Sequence, residues 1–423
     1  MIALAFTLAF AALATLAAIG APFPNNFDEL AHLSAIAHIR LLGLPDLGDM
    51  RMLAPDLVPG FTARGNYLNH PPAYYAALAP LLPSDAWPSM ATVLVLRCVN
   101  VALSTLAVGA AMAVAVARAL PARIMIAYGC MVLFIPVLPY LGGGISNDNL
   151  GFLGGALCIL GAQLLQGRTD SRIGWVLLAG GSALAALAKF TAGLMTGVFV
   201  VVFLLARWRH KSAYHRAWRA DLPWVAGLGV IQALACLPYA GYLLRHGSPA
   251  PRSPAFTEEY ARIAGFGTQL RGWVPGADLS LPEYAGAFLH WLVANWNPVM
   301  SMTGWAQAVV LSGPVLVLAL AAAGIAASLS PRAQPDPVVA AGGIALAVIL
   351  PLHLLFSYRL YQETGSPPMD AVPRYYFPLA LTIIPMAAAL ALRRLPAGLS
   401  LIVPAVLALA LPVIAHCAAG GCP

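Results

Sequence analysis

The chain has 423 residues, 60% of them hydrophobic and 9% charged, with a net charge of +7 and a mean hydropathy of +0.80. Soluble domains carry about 25% charged residues, so an ordinary soluble enzyme is excluded; the apolar content equally excludes a disordered chain. The apolar runs reach about 18 residues or more without the alternation of a barrel strand, which makes this an all-α polytopic membrane protein.

Hydropathy predicts eleven transmembrane helices, at roughly 2–20, 89–117, 123–141, 149–166, 173–188, 190–206, 222–243, 304–327, 337–356, 376–392 and 397–415. The first has no Lys or Arg ahead of its apolar run, so it reads as an uncleaved span rather than a signal peptide. Residues 21–88 then form a long loop. It opens with Pro24-Asn25-Asn26-Phe27-Asp28-Glu29, has His32 one turn further on, and later carries Arg64-Gly65-Asn66-Tyr67-Leu68-Asn69-His70-Pro71-Pro72. Within it Pro71–Leu82 is apolar but too short to cross, and reads as a helix lying on the membrane surface with Tyr74 and Tyr75 at headgroup level. Between the third and fourth spans lies Gly142-Gly143-Gly144-Ile145-Ser146-Asn147-Asp148-Asn149, and Lys189 stands alone at the junction of the fifth and sixth. A second long loop covers 244–303. A third, 357–375, holds Tyr358-Arg359 and Arg374-Tyr375.

Charge fixes the orientation. With the N-terminus in the cytoplasm, the inner connections hold Arg118, Arg123, Arg168, Arg172, Arg207, Arg209, Lys211, Arg216, Arg219, Arg332, Arg393 and Arg394 against Asp170, Asp221 and Asp336. Twelve basic and three acidic residues make that side +9; the other 11 basic and 13 acidic residues make −2. The positive-inside rule therefore puts all three long loops and the C-terminus outside, in a cytoplasmic (inner) membrane, and explains the basic excess without nucleic acid. The chain divides into a seven-span module (1–243, including loop 21–88), the outer loop 244–303, and four further spans (304–423) with loop 357–375. Cys98, Cys130, Cys158 and Cys236 fall in spans as packing residues, and no metal spacing occurs; Cys417 and Cys422 are placed for a disulfide in the outer tail.

Ionisable groups inside a membrane are expensive, and here they gather instead at the outer ends of helices. Bland explanations exist for each. Asn25, Asn26, Asn147 or Asp148 can cap a helix, and Asp28 and Glu29 suit a first turn. His32 and His70 suit an interface, and Gly142–Gly144 suits a turn. A lone Lys189 between apolar helices is harder to accommodate without a cavity. Together the groups offer carboxylates that can take a proton from an attacking hydroxyl and cations, Lys189, Arg359 and Arg374, that can stabilise a departing phosphate. Transporters would place ionisable groups near the midplane on interrupted, repeated helices, a pattern missing from this sequence.

At these residues the chain resembles the GT-C superfamily of membrane glycosyltransferases, in particular the protein O-mannosyltransferases and the bacterial transferases that add aminoarabinose to lipid A. Asp28-Glu29 with His32 resembles the acidic motif after the first span, and Asn69-His70-Pro71-Pro72-Ala73-Tyr74-Tyr75 a His/Lys-Pro-Pro-x-Tyr-Tyr element. Arg97 with Asn100 resembles an Arg-containing second-span start; Asn147-Asp148-Asn149-Leu150 an Asn-Asp element; Ala188-Lys189-Phe190-Thr191 a Thr-Lys-Tyr/Gly junction. Pro373-Arg374-Tyr375-Tyr376-Phe377-Pro378 resembles an Arg-Tyr-Tyr-x-Pro start to a late span.

The resemblance implies a GT-C-like fold whose outer loops carry interfacial helices. It also implies inverting transfer of a sugar from a polyprenyl-phosphate donor to a lipid, glycan or protein acceptor at the outer face. On it, Asp28 acts as base, Glu29 assists and Asp148 orients substrate. Lys189, Arg374, Arg359, Arg64 and His70 bind the donor phosphate, and His32, Asn66, Asn147, Asn149, Tyr358 and Tyr375 line the substrate. No Asp-x-Asp pair appears, so transfer without metal or other cofactor is expected. No soluble domain follows the last span, unlike the oligosaccharyltransferase branch. The competing readings are a polysaccharide polymerase or ligase, for which Arg245, Arg252, Arg262 and Arg271 give loop 244–303 some basic character, and a transporter or flippase of lipid-linked sugars.

Overall fold

The structure, a computed structural model, describes residues 1–24, 28–44, 49–83, 87–133, 135, 137–167, 171–211, 217–259, 262, 278–295, 305–330, 336–396 and 398. The first helix, α1 (Ile2–Gly20), leads into the first long loop, which is itself folded. That loop contains α2 (Glu29–Leu42), an antiparallel hairpin of β1 (Arg51–Leu53) and β2 (Phe61–Gly65), and the short α3 (Ala73–Leu78), extended by a 3₁₀ turn, Ala79–Leu81. A short helix does stand within Pro71–Leu82, α3 with its 3₁₀ turn. Tyr74 and Tyr75, expected at headgroup level, are instead buried inside the protein, because they pack on α2 and on the next helix, Met90–Ala117. The hairpin was not legible from hydropathy, because its strands are too short to show a period. These pieces share one small core around Leu33, Ile36, Leu53, Tyr74, Tyr75, Leu96 and Ile145, and Leu53 N donates to Ser34 Oγ at 2.9 Å to join hairpin and helix.

The bundle follows as α4 (Met90–Ala117), α5 (Ala122–Leu133), α6 (Val137–Gly143), α7 (Asp148–Gly167), α8 (Arg172–Ala188), α9 (Phe190–Lys211), α10 (Ala217–Ala235) and α11 (Leu237–His246). Then come α12 (Leu281–Ala294) in the second loop, α13 (Trp305–Leu329), α14 (Pro337–Thr364), a 3₁₀ turn Pro373–Tyr376, and α15 (Phe377–Leu392). Among the described residues six helices are individually long and apolar enough to cross a membrane, and eight if the bent pairs α5/α6 and α10/α11 each count as one. α10 and α11 meet at 46°, where Pro238 in the first turn of α11 cannot continue the preceding helix. Two further apolar helices, Arg172–Ala188 and Val315–Leu329, are shorter. The expected span 397–415, apart from residue 398, lies outside the described residues, as do Asn25, Asn26, Arg271, Cys417 and Cys422.

α7 is central and packs on α4, α8 and α15. Its glycines set the closeness. A Cβ at Gly155 would fall 1.7 Å from the carbonyl oxygen of Pro378 on α15, and one on Gly181 of α8 would fall 2.4 Å from the Cys158 nitrogen. Such approach lets helices gain packing contacts where no hydrophobic drive separates protein from lipid.

The charges sort to the two ends of this bundle as expected. At the C-terminal end of α7, Arg118 pairs with Asp336 and donates to Gln163, while Arg207 pairs with Asp221 at 3.0 Å and donates to the Leu165 carbonyl. About 30 Å away at the other end of the 20-residue α7, Asp148 meets Lys189 and Arg374. One expectation is corrected here. Tyr358 and Arg359, placed in a loop beginning at 357, ride on α14, which runs on to Thr364 before Gly365 ends it at φ 66°. Nothing in Ser357–Thr364 breaks a helix, so the polar end simply extends beyond the apolar span.

Candidate active site

Four charged side chains from four different segments meet at this end. Asp28 sits at the N-cap of α2 with φ 62°, a left-handed conformation that Asp tolerates better than most residues. Its side chain does not cap the helix. Instead Oδ1 accepts from the Tyr67 hydroxyl at 2.7 Å and Oδ2 from Arg374 Nη2 at 2.8 Å. Arg374 comes from the 3₁₀ turn before α15, and its Nε lies 3.6 Å from Asp148 Oδ2 at the start of α7. The other oxygen of Asp148 accepts from Lys189 Nζ at 3.0 Å. The result is an alternating chain, Asp28–Arg374–Asp148–Lys189, with every charge matched by its neighbour.

The position of Lys189 follows from local backbone. It is the single extended residue between α8 and α9 (φ −162°, ψ 141°). Its N–H closes α8 on Ala185 O and its carbonyl accepts the Gly193 N–H in the first turn of α9. Asn147 Nδ2 donates to Ala188 O at 2.7 Å, fixing the α7 N-terminus to this joint. Lys189 is 8% exposed, and its ammonium stands 3.9 Å from the centroid of the Tyr375 ring. A cation held between a carboxylate and a ring face is stabilised by both.

Two imidazoles adjoin the quartet. His32 Nδ1 is 3.0 Å from the Tyr75 hydroxyl, and its ring stacks on His70 and Tyr75 with centroids 6.3 and 5.8 Å apart. Burial pushes His32 down to about 4 and holds His70 well below the ordinary histidine value, with Lys189 adding to the effect on His70. Both rings are therefore neutral at pH 7. Burial alone would raise the Asp28 carboxyl, but Arg374 and the Tyr67 hydrogen bond outweigh it and keep the group below the usual carboxylate range. The Tyr67 hydroxyl is correspondingly held well above its ordinary value by burial and by Asp28.

Asp28, Asp148, Lys189, Arg374, Tyr375, His32, His70 and Asn147 are thus brought together, and the other expected residues are not. Glu29, read as assisting, is fully buried one residue away and faces into the protein. Its oxygens accept from Arg97 Nε and Nη2 at 2.8 and 2.7 Å and from Ile145 N at 3.1 Å. Arg359 is exposed on α14 and pairs with Glu363 one turn on, because it lies on the outward face of that helix. Tyr358 donates to Leu279 O, and Arg64 pairs with Glu259 of the second loop. Asn66 and Asn149 bind backbone: Asn66 Nδ2 donates to Ala31 O, Asn149 Nδ2 to Leu141 O and Gly144 O and also to Asn100 Oδ1. The motif spacing missed Tyr67 and Tyr75. Each lies inside a quoted motif, but only the folded loop aims its hydroxyl at Asp28 or His32. Among the described residues no three His, Cys, Asp or Glu side chains are grouped as metal ligands.

No protein-family model matches this chain, and no curated protein matches it. Solved structures do. ArnT from Cupriavidus metallidurans, crystallised with undecaprenyl phosphate bound, superposes on 97% of the chain with a TM-score of 0.54 and 16% sequence identity. The chain has the ArnT fold. ArnT is a lipid A aminoarabinose transferase and a GT-C glycosyltransferase, which agrees with the family resemblance carried by the motifs. The chain spans 65% of the length of that ArnT. The apo-state structure of the same protein aligns over 91% of the chain, at 15% identity and a TM-score of 0.38.

Proposed function

We propose that this multi-pass membrane protein is a glycosyltransferase that moves a sugar from a polyprenyl-phosphate donor, with inversion, to a lipid, glycan or protein acceptor at the outer face of the cytoplasmic membrane. The observation that carries the reading is the Asp28–Arg374–Asp148–Lys189 chain, buried at Asp148 and Lys189 and half-open at Asp28, at one end of a bundle whose fold ArnT shares, ArnT having been crystallised with undecaprenyl phosphate. The basic excess among the connections at the opposite end supports an outer location for this one, with the N-terminus in the cytoplasm.

In this reading the acceptor hydroxyl oxygen attacks the anomeric carbon on the face opposite the phosphate. The bond from that carbon to the phosphate oxygen breaks, and polyprenyl phosphate leaves with the electron pair. The acceptor proton passes to the Asp28 carboxylate and from there to water. Arg374 and Lys189 exchange carboxylate partners for the phosphate oxygens and offset the charge that develops on the leaving group, a stronger effect in a buried site than in water. Tyr67 holds Asp28 in place. Asp148 orients Lys189 and Arg374, and His32, His70, Asn147 and Tyr375 border the sugar. Glu29 belongs to the frame, because its oxygens are already engaged by Arg97 and Ile145. The two cations can serve the phosphate directly, so transfer is metal-independent and EDTA leaves it unchanged.

The test uses membranes supplied with a radiolabelled polyprenyl-phosphate sugar. Asp28→Asn is expected to lower transfer by about 10²–10⁴-fold, the usual scale for a lost general base, while undecaprenyl phosphate still binds. Lys189→Ala is expected to weaken that binding by roughly 10–100-fold, the equivalent of one charged hydrogen bond of about 1.5–3 kcal/mol. Transfer by Asp28→Asn at the unmodified rate would overturn the assignment. Among the described residues of the second loop, Arg252 pairs with Glu363 and Arg262 with Glu259, which lends the polymerase reading no support.

A further inference from the structure

Beside the charged chain lies a second set of buried polar groups that the mechanism does not use. Asp370, 5% exposed, stands four residues before Arg374. Ser357, 1% exposed on α14, donates its hydroxyl to Asp370 Oδ1 at 2.5 Å, and the Tyr284 hydroxyl of α12 is 2.7 Å from the same Ser357 Oγ. On the other side His353 Nε2 lies 3.5 Å from Asp370 Oδ2, and His353 Nδ1 is 2.8 Å from the Tyr376 hydroxyl.

The donor sense along the first arm follows from chemistry. A carboxylate only accepts, so the Ser357 proton is committed to Asp370 and Tyr284 must be the donor to Ser357. On the second arm His353 Nε2 stands at ion-pair distance from Asp370, and Nδ1 shares a hydrogen bond with the Tyr376 hydroxyl. Two tyrosines on different segments therefore converge on one buried acid. The packing agrees. Tyr284, Phe288, Trp291, Tyr361 and Ala371 form their own apolar cluster, and Asn295 Nδ2 at the end of α12 donates to Ala371 O at 3.0 Å. The His353 ring is 5.6 Å from that of Tyr375, the ring beneath Lys189.

We infer that Tyr284, Ser357, Asp370, His353 and Tyr376 form a positioning relay, through which α12 of the second loop fixes the Pro373–Tyr376 turn and so sets Arg374 and Tyr375 in the site. Its consequence for donor binding rests on the glycosyltransferase reading; the relay itself is a statement about the turn. Removing one donor arm should loosen that turn while the bundle core is untouched.

The test uses the full chain in lipid nanodiscs and two readouts. Hydrogen exchange at residues 371–376 reads the turn directly, and binding of undecaprenyl phosphate reads its effect on the site. Tyr284→Phe and Ser357→Ala each keep most of the packing and remove one hydroxyl. Both are expected to raise exchange in 371–376 about tenfold, with α7 and α8 unchanged, and to weaken undecaprenyl phosphate binding by a similar factor. Ser357→Thr, which restores the hydroxyl, should return both readouts to the unmodified values. Exchange in 371–376 that stays within about twofold of the unmodified protein in both deletion variants overturns the relay. A protein that binds no undecaprenyl phosphate at all overturns the donor reading instead, and the exchange data still decide the relay.

Discussion

Glu29→Gln separates framework from chemistry in the acidic motif. Arg97 is 2% exposed and makes five contacts: Glu29 Oε1 at 2.8 Å, Glu29 Oε2 at 2.7 Å, and the carbonyls of Ala18, Ala21 and Pro22 at 2.9, 2.8 and 2.9 Å. The substitution removes the anion and leaves the guanidinium buried against carbonyl dipoles alone. Breaking one side of such a pair costs about 3–5 kcal/mol, a large part of a typical stability of about 5–15 kcal/mol. The thermal midpoint in detergent, followed by loss of monodisperse protein, should therefore fall by on the order of 5 °C or more. Glu29→Leu with Arg97→Leu removes both charges and should recover most of that loss, since paired apolar replacements of buried ion pairs are often near neutral. Asp28→Asn, whose carboxylate lies in the half-open cluster, should lose transfer with a much smaller fall in midpoint. A Glu29→Gln protein that keeps its midpoint but has lost transfer would refute this assignment and return Glu29 to the chemistry.

Three other outcomes follow from the same structure. Gly181→Val places atoms within 2.4 Å of the Cys158 nitrogen and pushes α7 from α8, so it should destabilise by about 1–3 kcal/mol or more and weaken the Asp148–Lys189 pair; Gly180→Val, with nothing within 4 Å, should leave the midpoint in place. Arg64→Ala removes a half-exposed pair with Glu259 worth about 0–1 kcal/mol, so transfer should change less than threefold by the radiolabel assay, with the small effect disappearing in high salt. For pH, His32 titrates at about 4 in the folded protein against about 6.5 in an unfolded chain. The unfolded state then binds more protons between those values, so stability is complete above about 6.5 and declines as pH falls toward 4, by up to about 1.4 kcal/mol per unit. His32→Gln should flatten that slope of midpoint against pH, and because His70 is shifted the same way, a part of it should remain.

The composition alone made this a helical membrane protein, since a chain with 9% charge and long apolar runs has no stable soluble form. The sequence also sorted the charges to two ends, because the expense of burying an ion in lipid leaves the chain little choice of where to put it; Arg118, Asp336, Arg207 and Asp221 do meet at one end and Asp148, Lys189 and Arg374 at the other. What spacing could not decide was direction. Asp28 and Glu29 are adjacent in sequence and chemically alike, yet the left-handed backbone at Asp28 and the start of α2 send one carboxylate to Arg374 and Tyr67 and the other to Arg97. Arg359 and Arg374 lie in one segment, yet α14 carries the first outward while the 3₁₀ turn carries the second inward. Long-range pairings such as Tyr67 with Asp28, 39 residues apart, or Tyr284 with Ser357, 73 apart, leave no local signal. They exist only after the first loop has folded on the bundle and α12 has packed on α14. The tertiary structure therefore reduced a scatter of polar residues at helix ends to one four-charge chain, and showed which of their neighbours hold it in place.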